Sequence, residues 1–127
     1  MIKNKNILFL DDIRIPSDAY EYTKNPIYNK NWDVVRNYQE FVEYISKNGM
    51  PTFISFDHDL ADEHYVSLSE SKKDSYTEKT GYECAKWLVE YCLNNSVELP
   101  DFLVHSMNPV GKIRIESLLN NFKNRRN

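Results

Sequence analysis

Four short apolar runs punctuate the chain, at residues 7–10, 32–35, 52–56 and 102–104. Each is too short for a helix and rich in β-branched or aromatic residues, the pattern of a buried strand. Between them, apolar positions recur at helical spacing. Asn37 and Glu40 form an N-x-x-E start, after which Phe41, Val42 and Ile45 share one face until Gly49 and Pro51 stop the helix. Thr80 and Glu83 open a second stripe of Ala85, Leu88, Val89 and Cys92. Asn108-Pro109 sets a capping residue before a proline at the first helical position, and Ile115, Leu118, Leu119 and Phe122 follow. Residues 17–31, rich in Tyr and Asn with Pro26 near the middle, have room for one short helix.

Strands alternating with helices predict an α/β fold: a short parallel sheet with helices on both faces, a three-layer flavodoxin-like sandwich of strand order 2-1-3-4. A length of 127 residues fits one domain spanning 1–127, with no internal repeat or linker. The polar stretch 61–79 has no apolar stripe, which in a compact domain marks a lid, a binding loop or disorder.

Composition narrows the function. A hydrophobic content of 41% indicates a globular chain, and no apolar run is long enough to span a bilayer. The first residues turn acidic too soon for a secretion signal, so a soluble, cytoplasmic protein is expected. The net charge of −3 argues against a duplex-DNA binder, and the basic tail 123–127 reads as a solvated end. Cys84 and Cys92 lie eight positions apart on one helix, about 12 Å of rise, too far for a disulfide, so they read as core residues.

The candidate chemistry lies where the strands end. The first run is followed by Asp11-Asp12, the third by Asp57, His58 and Asp59, and the fourth by His105 and Ser106. With order 2-1-3-4, strands one and three are neighbours about 4.8 Å apart, and their carboxyl ends flank the point where the winding reverses. Asp11, Asp12, Asp57 and Asp59 would share one crevice there. Clustered carboxylates raise one another's pKa or recruit a counter-ion, and oxygen donors favour a hard cation such as Mg²⁺. An Asp after a strand also caps the next helix, which is the competing role for Asp12 and Asp59 taken singly. Arg14 would clamp a phosphate or pair with these acids. His105, with an imidazole that titrates near neutrality, is placed for acid–base work, and His58 is either a second such group or a buried, hydrogen-bonded imidazole. Ser106 and Asn108 stand at a helix entrance suited to anions, and Lys112 either reaches the same anion or lies on the solvated face. Asp62, Glu63 and His64 would be rim residues.

The stretches LFLDDIRIP, WDVVRNYQEF, ISFDHDL, TGYECAKWLVEYC and VHSMNPVGK together resemble the cyclic-phosphate processing receiver-like family, the cREC domains. The resemblance runs from about residue 7 to about residue 119. It implies a receiver-type fold and a role in processing cyclic phosphates on nucleotides or RNA ends. Asp11 and Asp12 match the acidic pair of signalling receivers, Asp57 the phosphoacceptor and Ser106 the hydroxyl position. The chain departs from them in ending soon after the helix that follows strand four, where a signalling receiver adds a fifth strand and a lysine.

The expected function is therefore that of a phosphoesterase dependent on Mg²⁺ or Mn²⁺. Asp11, Asp12 and Asp57 would hold the ion with Asp59 in support, Arg14 would neutralise phosphoryl charge, and His105 or His58 would protonate the leaving ribose oxygen. The partner would be a small nucleotide or an RNA terminus. Two other functions fit the same residues: a non-catalytic binding module, and a phosphoacceptor domain modified on Asp57.

Overall fold

The computed structural model describes residues 5–58 and 80–126; Asp59 and the stretch 61–79, with Asp62, Glu63 and His64, lie outside the described residues. In chain order the elements are β1 (Ile7–Leu10), α1 (Pro16–Thr23), a 3-10 turn (Pro26–Asn29), β2 (Asp33–Val35), α2 (Tyr38–Asn48), β3 (Phe53–Phe56), α3 (Gly81–Asn95), β4 (Asp101–Val104) and α4 (Pro109–Arg126). No helix among these is long and apolar enough to cross a membrane.

The strands pair in the order β2-β1-β3-β4, all parallel, as the sequence pattern predicts. The register fixes the site. Leu10 pairs with Phe56, and Phe56 with Val104, so the three strands reach their carboxyl ends side by side. The pairing extends one residue further in each: the Asp57 N–H donates to the Leu10 carbonyl at 2.9 Å and the His105 N–H to the Phe56 carbonyl at 2.9 Å. Asp11, Asp57 and His105 consequently stand in one row.

Alternation along the strands separates two cores. Leu8, Leu10, Ile54, Phe56 and Val104 face the larger one, filled by Phe41 and Ile45 of α2, Cys84, Leu88 and Cys92 of α3, and Ile115, Leu119 and Phe122 of α4. Phe9 faces the smaller one with Ala19 of α1, Tyr28 and Trp32. There Phe9 meets Tyr28 edge-on at 6.1 Å and Trp32 at 5.9 Å, contacts worth about 1 kcal/mol each beyond burial. Three helices thus cover one side of the sheet, and α1 with the 3-10 turn covers the other. Both cysteines are buried, and no disulfide joins them, in line with their spacing.

The helices start where their capping residues stand. Asn37 accepts from the Glu40 N–H at 2.8 Å, while the Glu40 carboxylate takes the N–H of Arg36 at 2.8 Å, one residue upstream of the usual reciprocal partner. Thr80 accepts from Tyr82 and Glu83, and Asn108 from Gly111 at 3.0 Å. Two expectations change. Residues 17–31 hold a helix and a 3-10 turn, because α1 ends at Lys24 in a left-handed conformation and Pro26 starts a new turn. Residues 123–126 of the basic tail belong to the end of α4, where the Lys123 ammonium pairs with Asp101 at 3.3 Å and sits over the Phe102 ring.

Candidate metal and phosphate site

Asp11 is fully buried, and its carboxylate organises the turn that follows β1. Oδ1 accepts from the backbone N–H groups of Ile13 at 3.0 Å and Arg14 at 2.8 Å, while Oδ2 takes His105 Nε2 at 3.0 Å and, more loosely, Arg14 Nη1 at 3.5 Å. Burial alone would raise this carboxyl, but the His105 hydrogen bond and the two backbone donors outweigh it and hold the pKa at about 2. Asp11 is therefore an anion, able only to accept.

That fixes the direction of a buried chain of hydrogen bonds. Burial pushes His105 below its ordinary value, against the pull of Asp11, so the ring is neutral near pH 7. A neutral imidazole facing a carboxylate puts its proton on Nε2, which leaves Nδ1 to accept. Nδ1 lies 2.7 Å from Ser55 Oγ, which must then donate, and Ser55 Oγ in turn accepts from Tyr28 Oη at 2.7 Å. The imidazole is stacked on Phe9, with ring centroids 4.4 Å apart and planes 4° from parallel. Tyr22 closes the assembly, its hydroxyl donating to the His105 carbonyl at 2.5 Å. Burial raises the Tyr22 phenol to about 12, which keeps that donor proton in place.

Arg14 occupies the space between the two strand ends. Its Nη1 lies 3.5 Å from Asp11 Oδ2 and 4.0 Å from Asp57 Oδ2, its guanidinium lies over the Tyr22 ring, and Nη2 reaches Met107 Sδ at 3.6 Å. Arg36 ties down the loop beneath, donating to the carbonyls of Asp11 at 3.1 Å and Arg14 at 2.6 Å. Above this lies a cleft of about 460 Å³ lined by Asp12, Ile13, Arg14, Asp57, Ser106, Met107, Asn108 and Pro109.

The sequence-derived candidates divide accordingly. Asp12, Arg14, Asp57, Ser106 and Asn108 come together around the cleft. Asp11 lies beneath it and touches Arg14. Ser106 and Asn108 also shape the helix entrance, with Ser106 Oγ accepting from the Asn108 N–H at 3.0 Å. Lys112 is exposed on α4, does not line the cleft, and its backbone N–H bonds to the Asn108 carbonyl. Neither histidine lines the cleft: His105 has both ring nitrogens engaged in the buried chain, and the His58 ring packs so tightly on Gly111 that a Cβ there would collide with it. Pattern reading missed Tyr22, Tyr28, Arg36 and Ser55. Ser55 carried a signal: it is a polar residue inside the apolar run FISF, two positions before Asp57 and so on the same side of the strand.

The donor set suits a hard cation. One donor atom each from Asp11, Asp57 and His105 lies within 4.8 Å of the others. The imidazole points a proton, not a lone pair, at Asp11, so the oxygens are the better ligands. The oxygens of Asp11 and Asp57 at that spacing suit a hard cation, with Asp57 opening on the cleft and Asp11 behind it.

The buried pair predicts how stability depends on pH. In the unfolded chain His105 takes up a proton below about pH 6.5, but the folded ring resists, so stability falls as pH drops through that value. Asp11 adds a second loss between its ordinary 3.8 and its folded value of about 2, worth roughly 2 kcal/mol in all. Chemical denaturation followed from pH 8 to pH 2 should show both losses, and the His105→Gln variant should lack the first. A flat profile between pH 7 and pH 5 would contradict the neutral, buried imidazole.

Residues 6–121 match the family model for the cyclic-phosphate processing receiver domain. Neither a curated protein nor a solved structure matches the chain.

Proposed function

The chain belongs to the family of cyclic-phosphate processing receiver domains, and from that premise we propose that it hydrolyses a cyclic phosphate on a nucleotide or an RNA end, assisted by Mg²⁺ or Mn²⁺. The observation that carries this reading is the cleft itself, in which two carboxylates, an arginine and the amino end of a helix meet at the carboxyl edge of the sheet.

Asp12 and Asp57 would hold the ion, with Asp11 behind them. When bound, the ion supplies Lewis-acid polarisation of a phosphoryl oxygen and lowers the pKa of water. Arg14 binds the phosphate oxygens through its planar fork and offsets charge that builds on them. It is already oriented by Asp11 and the Tyr22 ring. The amino end of α4 favours the same anion. Water adds to phosphorus as one ribose–oxygen bond to it breaks, and its proton passes to the ribose oxygen, leaving a monoester. His105 serves as a positioning residue: through Nε2 it fixes the Asp11 carboxylate, and Ser55 and Tyr28 fix the ring. In this reading the proton transfer does without His105 and His58, neither of which lines the cleft.

The test incubates the full chain with 2′,3′-cyclic and 3′,5′-cyclic nucleotides and either ion, following the monoester by chromatography. Turnover lost in Asp57→Asn supports hydrolysis. Ligand that binds tightly and is recovered intact selects a binding module. Phosphate taken up on Asp57 from a small phosphodonor selects the phosphoacceptor function. Protein that neither binds nor turns over any of these ligands refutes the proposal.

A further inference from the structure

The cleft is not uniformly polar. Ile13 is 65% exposed and Met107 is 63% exposed, and both line it. A single exposed apolar side chain is ordinary. Here two of them border the arginine and aspartate that would hold a phosphate, and Met107 Sδ touches the Arg14 guanidinium. They come from different loops, Ile13 after β1 and Met107 after β4, so neither exposure follows from the other. The volume points the same way. About 460 Å³ lies within the range of small-molecule pockets, and is several times what a phosphate group fills. A bare phosphate would leave most of the cleft, and its apolar wall, in water.

We propose that Ile13 and Met107 form an apolar grip for the base of a nucleotide whose cyclic phosphate sits at Arg14 and Asp57. This rests on the phosphate-site reading above and adds a specificity element to it: the ligand is a nucleoside phosphate, distinguished from base-free phosphates by contact with these two side chains. A thioether and a branched aliphatic chain suit the flat face of a base without demanding one base identity, since every base has an apolar face and the two side chains present no hydrogen-bonding pattern to read its edge. Discrimination among bases is accordingly weak, and discrimination for a base is strong.

Calorimetric titration of the full chain with Ca²⁺ in place of Mg²⁺, so that the probes are held without turnover, tests this with three probes: a 2′,3′-cyclic mononucleotide, a short oligoribonucleotide ending in a 2′,3′-cyclic phosphate, and glycerol 1,2-cyclic phosphate, which has no base. The wild-type chain should bind at least one base-bearing probe about tenfold or more tighter than the base-free one; either carrier supports the grip and identifies its source. The double variant Ile13→Ser, Met107→Ser should bring the ratio close to one, chiefly by weakening the base-bearing probes. Both positions are exposed, so the fold tolerates the changes. Equal wild-type affinity for all three probes, or a base preference that survives in the double variant, overturns the grip while leaving the phosphate site standing. Failure of every probe to bind removes the phosphate site and the grip together.

Discussion

Replacing Arg14 with glutamine should weaken binding of a cyclic-phosphate ligand by about 10- to 100-fold and, in the same protein, strengthen binding of Mg²⁺ or Mn²⁺ by about tenfold. The opposite signs come from one cause. The guanidinium lies 3.5 Å from Asp11 and 4.0 Å from Asp57, in the space a divalent ion would share. Two like charges at such distances repel, so the arginine lowers the affinity of the carboxylates for an added cation. Removing it relieves that repulsion but deletes a charge-assisted clamp on phosphate, an interaction worth about 1.5–3 kcal/mol. The fold should persist, because Asp11 keeps His105 and two backbone donors. Titrating metal and ligand separately reads the two effects. Metal affinity that drops together with ligand affinity would mean that Arg14 organises the carboxylates and does not compete for them.

Gly81→Ala should destabilise the chain by about 3 kcal/mol, near the upper end for a single added methyl group. Gly81 opens α3, and its N–H donates to the His58 carbonyl at 2.7 Å. A Cβ there would run into the Asp57 carbonyl and crowd the backbone of His58. Neither obstacle is a flexible side-chain tip, so the helix start or the end of β3 has to move. Thermal unfolding should show a midpoint lowered by about 10 °C. The damage is local as well, because Asp57 lies on the displaced backbone, so metal affinity should fall in parallel. A midpoint within a degree or two of wild type would show that α3 is free to shift off the strand end. The small residue is explained by close backbone approach, with no need of a glycine-only conformation.

The strands were legible because burial on both faces leaves short unbroken apolar runs, and the acids after Leu10 and Phe56 marked where those runs stop. Parallel order followed from the alternation with helices, and side-by-side strand ends followed from the order. The gathering of Asp12, Arg14 and Asp57 around one cleft was implicit in that geometry. What His105 does was not. Its row was predictable from register, but its direction is set by parity and by Ser55, fifty positions earlier in the chain, which captures Nδ1. An imidazole that looks available in a one-dimensional reading is, in three dimensions, held from both ends. Lys112 was undecided for a similar reason: a helix position alone does not say which way a long side chain extends. Arg36 and Tyr22 escaped notice because their partners are backbone carbonyls, which carry no mark in a sequence.

The uneven covering of the sheet has a consequence for how such a domain can diversify. The bulk of the buried apolar volume lies on the side of α2, α3 and α4, while Asp11, Asp57 and His105 belong by strand parity to the thinner side, with Phe9 and Ser55. Cohesion and chemistry are therefore drawn from separate sets of side chains on the same four strands. Substitutions that retool the reactive side draw on the lesser reserve of stability, and the thicker layer keeps the scaffold intact while new specificities are tried.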